Sequence, residues 1–203
     1  MQLPLAGYNM TTNETNWVEK VGAPALASVR EMVAAVACDY DRLQELRDER
    51  DNWEPAETCQ NCRKETTWPS AGPKGERECK HCTAIVCWAD ANPEDAKELA
   101  DLEEAAGDCE SEDEARERID EDPLSVEVRS GWTTPGEEME AEEFCLLLST
   151  GGPAVRIVGE LDRGQPTRAW LEVQDWFEPW TQYHEEGAAE VCLAYAANFC
   201  FER

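Results

Sequence analysis

The sequence predicts an α+β protein: a helical hairpin with an inserted ribbon, then a four-stranded antiparallel sheet with a C-terminal helix. Three observations lead to this prediction. Apolar residues recur three or four positions apart before residue 50 and again after residue 92, whereas they alternate from residue 124 onward. Two paired CxxC motifs lie between the two helical stretches. Helices followed by a run of strands are typical of the α+β class.

The first hairpin helix is predicted from apolar residues that recur from Leu26 to Leu46 at helical spacing. Its second part, DRLQELRDERD, alternates acids and bases, which is typical of an exposed, ion-paired helix face. We expect this helix to end before Pro55. Residues 1–52 are therefore interpreted as an N-terminal segment followed by the first hairpin helix.

The second hairpin helix is predicted over residues 90–122. Asn92 is a suitable N-cap, and Pro93 suits the first helical position. We expect Gly107 and the acidic run that follows it to break or bend this helix, and Pro123 to end it.

Residues 123–203 are predicted to form the antiparallel sheet and the C-terminal helix. Short apolar stretches are separated here by turn sequences such as GGP and DRGQP, which is typical of a meander with one buried face. The predicted strands fall within 124–129, 144–150, 155–161 and 169–173. An alanine-rich stretch, 185–199, then predicts a helix packed on the sheet.

The most specific motif is Cys59-x2-Cys62 followed, after 16 residues, by Cys79-x2-Cys82. Two such turns can bring four thiolates together tetrahedrally, and this spacing is typical of structural zinc sites. The segment 53–89 is therefore predicted to be an inserted zinc ribbon. It is too poor in apolar residues to fold alone, so the metal should supply folding free energy. His81 is the alternative ligand to consider, and Cys87 is a spare thiol nearby.

Acidic residues dominate the charge of the chain, with a formal net charge of −27. Residues 90–122 carry 16 acids and 3 bases, whereas 53–89 carry 5 of each. Such a charge repels nucleic acid and anionic membranes and favours a basic partner. If 90–122 were one helix, it would carry about one net charge per ~4 Å, close to the ~3.4 Å per charge of one DNA strand. The alternative is a solvated face that serves general solubility. The carboxylates predicted to bind the partner are Glu98, Asp101, Glu103, Glu104, Asp108, Glu110, Glu112, Asp113, Glu114 and Glu117.

The sequence offers little for catalysis. It contains 2 His and no nucleophile elbow, phosphate loop or HExxH helix, and a closed four-thiolate site leaves no open coordination position. We therefore expect no enzymatic activity. No apolar stretch is long enough to cross a bilayer, and the N-terminus lacks the features of a secretion signal. Together with CxxC pairs, this predicts a cytoplasmic protein with reduced thiols.

The C-terminal half also resembles a known group of proteins. DPLSVEVRSGW (122–132), EEFCLLLSTGGPAVRIVGELD (142–162) and RAWLEVQDWFEPWTQY (168–183) resemble a family of small acidic proteins of proteobacterial phages and integrated elements. The resemblance covers about 60% of the chain if the hairpin is included. It implies an accessory protein that works in the cytoplasm of a bacterial host. It assigns no functional residue.

These observations together predict an inhibitor of a host defence complex, of the anti-CRISPR or anti-restriction kind. It would act as a polyanionic DNA mimic on the basic surface of a host DNA- or RNA-binding complex. Acids of 94–122, with others from 137–143, would stand in for phosphates. Direct nucleic-acid binding is not expected. Whether the protein forms a homodimer is left open. The alternative is a zinc-ribbon adaptor that contacts nucleic acid or transcription machinery through Arg63, Lys64, Arg77 and Lys80.

Overall fold

The computed structural model describes residues 14–72, 75–134, 136 and 139–201. It confirms the α+β class, since helices occur together with two antiparallel sheets. The chain divides into two compact units. The sheet unit consists of Met1–Val36 and Asp113–Arg203, and the ribbon unit consists of Ala37–Glu112. These units have boundaries at 36/37 and 112/113, whereas the sequence predicted four segments with boundaries at 52/53, 89/90 and 122/123.

The helices and strands carry labels in chain order. The helices are α1 (Glu14–Val36), α2 (Tyr40–Asn52), α3 (Trp88–Ala91), α4 (Pro93–Ala106), α5 (Glu112–Glu121) and α6 (Ala188–Ala196). The strands are β1 (Glu76–Glu78), β2 (Ile85–Cys87), β3 (Ser125–Arg129), β4 (Glu143–Ser149), β5 (Ala154–Asp162), β6 (Gln165–Gln174) and β7 (Thr181–Gln182). No single helix in the described residues is long and apolar enough to cross a membrane. The helices at 17–36 and 40–52 have the necessary length and composition only when taken together.

The sheet unit contains an antiparallel meander in the order β3-β4-β5-β6-β7. The prediction of four strands is wrong, because the sheet has five. The additional strand, β7, has 2 residues and pairs with Glu172 and Val173 at the end of β6. The sequence pattern did not reveal β7 because two residues are too few to show alternation. The strand is positioned by the turn after β6, in which the N–H of Glu178 donates to the carbonyl of Asp175.

The inner face of this sheet carries the main core. Alternate side chains of the central strands are buried, as the period of two predicts: Phe144, Leu146, Val155, Ile157, Ala169, Leu171 and Val173. Helices α1 and α6 cover them through residues such as Leu26 and Tyr195, which are both fully buried. Gly22 permits the close approach of α1, since a Cβ atom at this position would lie 2.3 Å from the ring of Tyr183.

The first hairpin helix ends before Pro55 as predicted, at Asn52, but the prediction of one unbroken helix is wrong. It is two helices, α1 and α2, interrupted at residues 37–39 and divided between the two units. Asp39 caps α2, because its carboxylate accepts from the N–H of Arg42 at 3.0 Å. The sequence reading overlooked this cap because the apolar period continues across it.

The second hairpin helix is also divided. Helix α4 ends before Gly107, whose φ of 58° takes the backbone out of the helix, and α5 begins at Glu112. The predicted break therefore occurs where glycine was expected to cause it. It is also close to the boundary at 112/113, so α4 belongs to the ribbon unit and nearly all of α5 to the sheet unit.

The ribbon unit has its own small core. Leu43 and Leu46 of α2 are buried together with Trp88, Leu99 and Ala106. Helices α2 and α4 contact each other, and the chain between them carries the four paired cysteines and the β1–β2 hairpin.

Candidate metal centre and acidic surfaces

The two CxxC segments fold into matching turns. The N–H of Arg63 donates to the carbonyl of Cys59 at 2.7 Å, and the N–H of Thr83 donates to that of Cys79 at 2.9 Å. Arg63 and Thr83, each four positions after the first cysteine, both adopt left-handed backbone with φ of 56° and 55°. This conformation is unfavourable for side chains other than glycine, and most of all for a β-branched one. The repeated geometry directs both pairs of thiols towards one point.

The four sulfur atoms form a compact cluster. All Sγ atoms of Cys59, Cys62, Cys79 and Cys82 lie within 4.8 Å of one another. The distance is 3.7 Å between Cys59 and Cys82 and 3.8 Å between Cys62 and Cys79. A tetrahedral ion with sulfur ligands at ~2.3 Å requires sulfur atoms about 3.8 Å apart. The residues therefore fit a structural metal.

His81 lies beside the cluster but is not part of it. Its Nε2 is 3.2 Å from the carbonyl oxygen of Glu65, and among the described residues the group of potential ligands contains the four cysteines alone. Its backbone contributes instead, because the N–H of His81 donates to Cys79 Sγ at 3.4 Å. The alternative in which His81 replaces a cysteine has no support in this geometry.

The surroundings of the thiols favour a negatively charged cluster. Burial opposes ionisation of Cys79, but hydrogen bonds led by the N–H of His81 outweigh it and lower its pKa to about 6. The N–H of Ala84 and the side-chain amide of Asn61 lower the pKa of Cys82. The N–H of Lys64 favours the Cys62 thiolate, but burial and the neighbouring thiols raise its pKa to about 11. Ionisation of Cys62 at neutral pH thus needs a cation beside its thiolate.

Arg77 has a structural position that its sequence context did not reveal. It is 8% exposed, and its guanidinium donates to the carbonyls of Trp53 at 3.1 Å and Asp51 at 2.7 Å. These carbonyls lie at the C-terminal end of α2, where a cation is favourable. Arg77 therefore has little surface to offer a nucleic acid, and its guanidinium is already bound within the ribbon unit. Of the other basic residues in that set, Arg63, Lys64 and Lys80 are exposed.

Two of the predicted partner-binding carboxylates are used inside the ribbon unit. Arg42 binds Glu98 through two hydrogen bonds of 2.9 and 3.2 Å and lowers the pKa of that carboxyl. Glu103 lies 3.4 Å from Arg47 and 3.5 Å from Arg50. The alternating charges of α2 predicted an exposed, ion-paired face. One pair within α2 does form, Arg42 with Glu45 at 3.4 Å, but these arginines also reach across to α4. Glu98 and Glu103 therefore stabilise the packing of two helices.

The remaining predicted carboxylates are exposed but do not lie along one rod. Asp101 and Glu104 lie on the side of α4 away from its buried residues, and Asp108 follows the helix. Glu110 and Glu112 also belong to the ribbon unit, whereas Asp113, Glu114 and Glu117 belong to the sheet unit. Because α4 and α5 are separate helices, the charge density calculated for one helix over 90–122 does not apply. In the acidic stretch 137–143, residues 137 and 138 lie outside the described residues.

The sequence shows no significant similarity that would place it in a family. The resemblance to acidic phage proteins therefore stays a prediction. The chain matches no protein-family model, and comparisons with curated proteins and with solved structures find no significant match.

Proposed function

We propose that this protein is a polyanionic inhibitor that occupies a basic nucleic-acid-binding channel of a host defence complex. The host and the kind of complex, anti-CRISPR or anti-restriction, rest on the resemblance to acidic phage proteins. The proposal is carried by one observation: the exposed face of α4 is acidic, while the arginines of α2 are paired on its other side. The field outside the molecule is therefore negative, and the partner must be positive.

The charge of each unit supports the same conclusion. The ribbon unit contains 21 acids and 9 bases, and the sheet unit contains 24 acids and 9 bases. In the sheet unit several bases are paired internally, as in Arg30 with Glu185 at 2.6 Å and Arg156 with Glu172 at 2.6 Å. Both units therefore present excess carboxylate.

The contact surface that we propose on the ribbon unit is the α4 stripe, formed by Glu94, Asp101, Glu104 and Asp108. Within the helix, Glu94 to Glu104 span roughly 15 Å at ~1.5 Å per residue, and Asp108 lies just beyond its end. Lys97 lies among them, so the density is about one net charge per ~7 Å, half that of a single DNA strand at ~3.4 Å. Recognition would depend on the summed field and not on a one-to-one replacement of phosphates.

We propose zinc as the metal held by Cys59, Cys62, Cys79 and Cys82. Four thiolates in a tetrahedral arrangement are typical of structural zinc, and such a site leaves no position for a substrate. Its role would be to hold the ribbon together between α2 and α4. The test is elemental analysis of protein purified without added metal, with Cys79→Ser as the variant. One zinc per chain, lost in the variant, is expected; iron, or no metal at all, would overturn the assignment.

The inhibitor proposal is tested by displacement of labelled duplex DNA from purified CRISPR effector and restriction complexes, at low and high salt. We expect displacement that weakens as salt rises, since screening acts on both surfaces. D101N/E104Q should weaken it several-fold. A matched variant, E186Q/E190Q, removes two exposed charges from the sheet unit and should have a much smaller effect.

Two outcomes would contradict the proposal. Failure to displace DNA from any basic complex would refute the inhibitory function. Equal losses in both double variants would refute the α4 stripe as the contact surface. The adaptor alternative predicts that R63A/K64A/K80A abolishes the activity of the protein. The inhibitor proposal expects this variant to displace DNA as the wild type does.

A further inference from the structure

Strand β3 forms an open edge of the five-stranded sheet. In the part of the chain that the structure describes, β3 pairs with β4 on one side only. The opposite edge, β7, is only 2 residues long. Very short edge strands are a common protection against pairing with other chains, whereas a longer edge offers unpaired N–H and C=O groups to a further strand.

The inner face of this edge is apolar and incompletely covered. Val126 and Val128 lie opposite Leu146 and Phe144, which are both buried, so they share the core side of the sheet. Nevertheless Val126 is 45% exposed and Leu124 is 60% exposed. Beyond the end of the strand, Trp132 is fully exposed. All of these apolar residues have even numbers, so their side chains share one face wherever the backbone is extended.

The outer face of β3 carries one acid and one base, Glu127 and Arg129. Arg129 forms an ion pair with Glu143 of β4, but its side chain is still 76% exposed. It therefore has room for a second carboxylate on its free side. Charges opposite each other on neighbouring strands contribute to pairing when they differ in sign and oppose it when they are alike.

We propose that β3 pairs antiparallel with β3 of a second copy of this chain, with Val128 on the two-fold axis. This register places Glu127 opposite Arg129 of the second copy, and the reverse, so both pairs are attractive. It also places Leu124 opposite Trp132 of the second copy if the extended backbone continues past β3. The interaction is independent of the proposed inhibitory function and does not use the α4 stripe.

Other registers that keep the apolar sides together are less favourable. With Glu127 on the axis, each Glu127 faces its own copy, and two carboxylates lie directly opposite. With Val126 on the axis, Arg129 faces Pro123 and Trp132 lies beyond the pairing. Charge therefore selects the register centred on Val128.

Cysteine substitution measures this register. Opposite residues of an antiparallel pair have Cα atoms about 4.5–5.5 Å apart, which suits a disulfide. Val128→Cys should thus form a disulfide with its own copy, identified by mass spectrometry of the linked peptide. Val126→Cys is the matched control. In this register residue 126 lies opposite residue 130 of the second copy, so the two cysteines at position 126 would be four residues apart along the strand, at about 13 Å. Cross-linking at position 126, or at neither position, would overturn the proposal.

Charge reversal provides the second test, in sedimentation velocity of the full chain up to millimolar concentration. E127R and R129E should each weaken self-association about tenfold or more, since each places like charges opposite one another in both pairs. The double variant E127R/R129E restores opposite signs and should recover most of the loss. A wild-type chain that stays monomeric, or a double variant no better than the single ones, would refute the pairing.

Discussion

Replacement of Arg77 by leucine should destabilise the ribbon unit locally. The guanidinium is buried and donates to two carbonyls at the end of α2, those of Asp51 at 2.7 Å and Trp53 at 3.1 Å. Leucine fills part of the volume but supplies no donor, so both carbonyls lose their charged partner. The link between β1 and the end of α2 is then lost.

The expected cost follows from these two bonds. Hydrogen bonds to charged groups contribute about 1.5–3 kcal/mol each, and leucine regains part of this because it avoids burying a charge. We therefore expect Arg77→Leu to lower the free energy of opening by about 2–4 kcal/mol. Arg77→Lys keeps the charge, but its single ammonium lacks the planar fork, so we expect about half of the loss.

Hydrogen exchange measured by mass spectrometry resolves this effect by segment. Faster exchange in Arg77→Leu should be concentrated at the end of α2 and in β1, while the sheet unit is unchanged. Lys80→Leu is the matched control, because Lys80 is exposed on the same ribbon and should change the opening free energy by less than ~0.5 kcal/mol. Equal protection in wild type and Arg77→Leu would refute the structural role of Arg77.

Three further predictions concern other parts of the fold. Thr83→Gly should stabilise the ribbon unit by about 0.5–1 kcal/mol in urea unfolding, because glycine adopts the left-handed φ without strain but gains more freedom when unfolded; a loss of stability would contradict this. Tyr183 and Arg30 hold the pKa of Glu185 below its ordinary 4.5, so its stabilising effect is present above that pH and is lost as pH falls further. Glu185→Gln should therefore flatten the acid side of the stability–pH curve, and unchanged curvature would exclude the pair as a cause. Ile157→Ala should cost about 3–4 kcal/mol in denaturant unfolding because Ile157 is fully buried, whereas its neighbour Val158, on the outer face, should cost clearly less; similar costs would mean that the inner face is misassigned.

The sequence predicted the cluster of four cysteines because the relevant geometry is local. Each CxxC turn closes through hydrogen bonds that span at most five residues, such as the one from the N–H of Cys59 to the carbonyl of Lys64. The spacing of the cysteines therefore fixes the shape of each turn. The inner face of the sheet was predictable for a similar reason, since alternation of apolar residues decides which side chains face the core.

The acidic surface was harder to predict, because charge in a sequence does not reveal its partner. Ion pairs such as Arg42 with Glu98 join residues 56 positions apart. The same charges also form pairs within α2, as Arg42 does with Glu45, so only the packing of α2 against α4 reveals the pairs between the two helices. The sequence correctly placed a break at Gly107, and the charge density close to that of DNA held only for a helix without this break.

By itself, the sequence determined the α+β class, the four thiols, the alternating core of the sheet and the excess of negative charge. Tertiary structure decided which carboxylates stay exposed, that Arg77 is buried, and that among the described residues β3 pairs on one side only. The physical reason is range. Turns and periodic faces follow from interactions over a few residues, whereas burial, ion pairing and sheet edges depend on which distant segments come together.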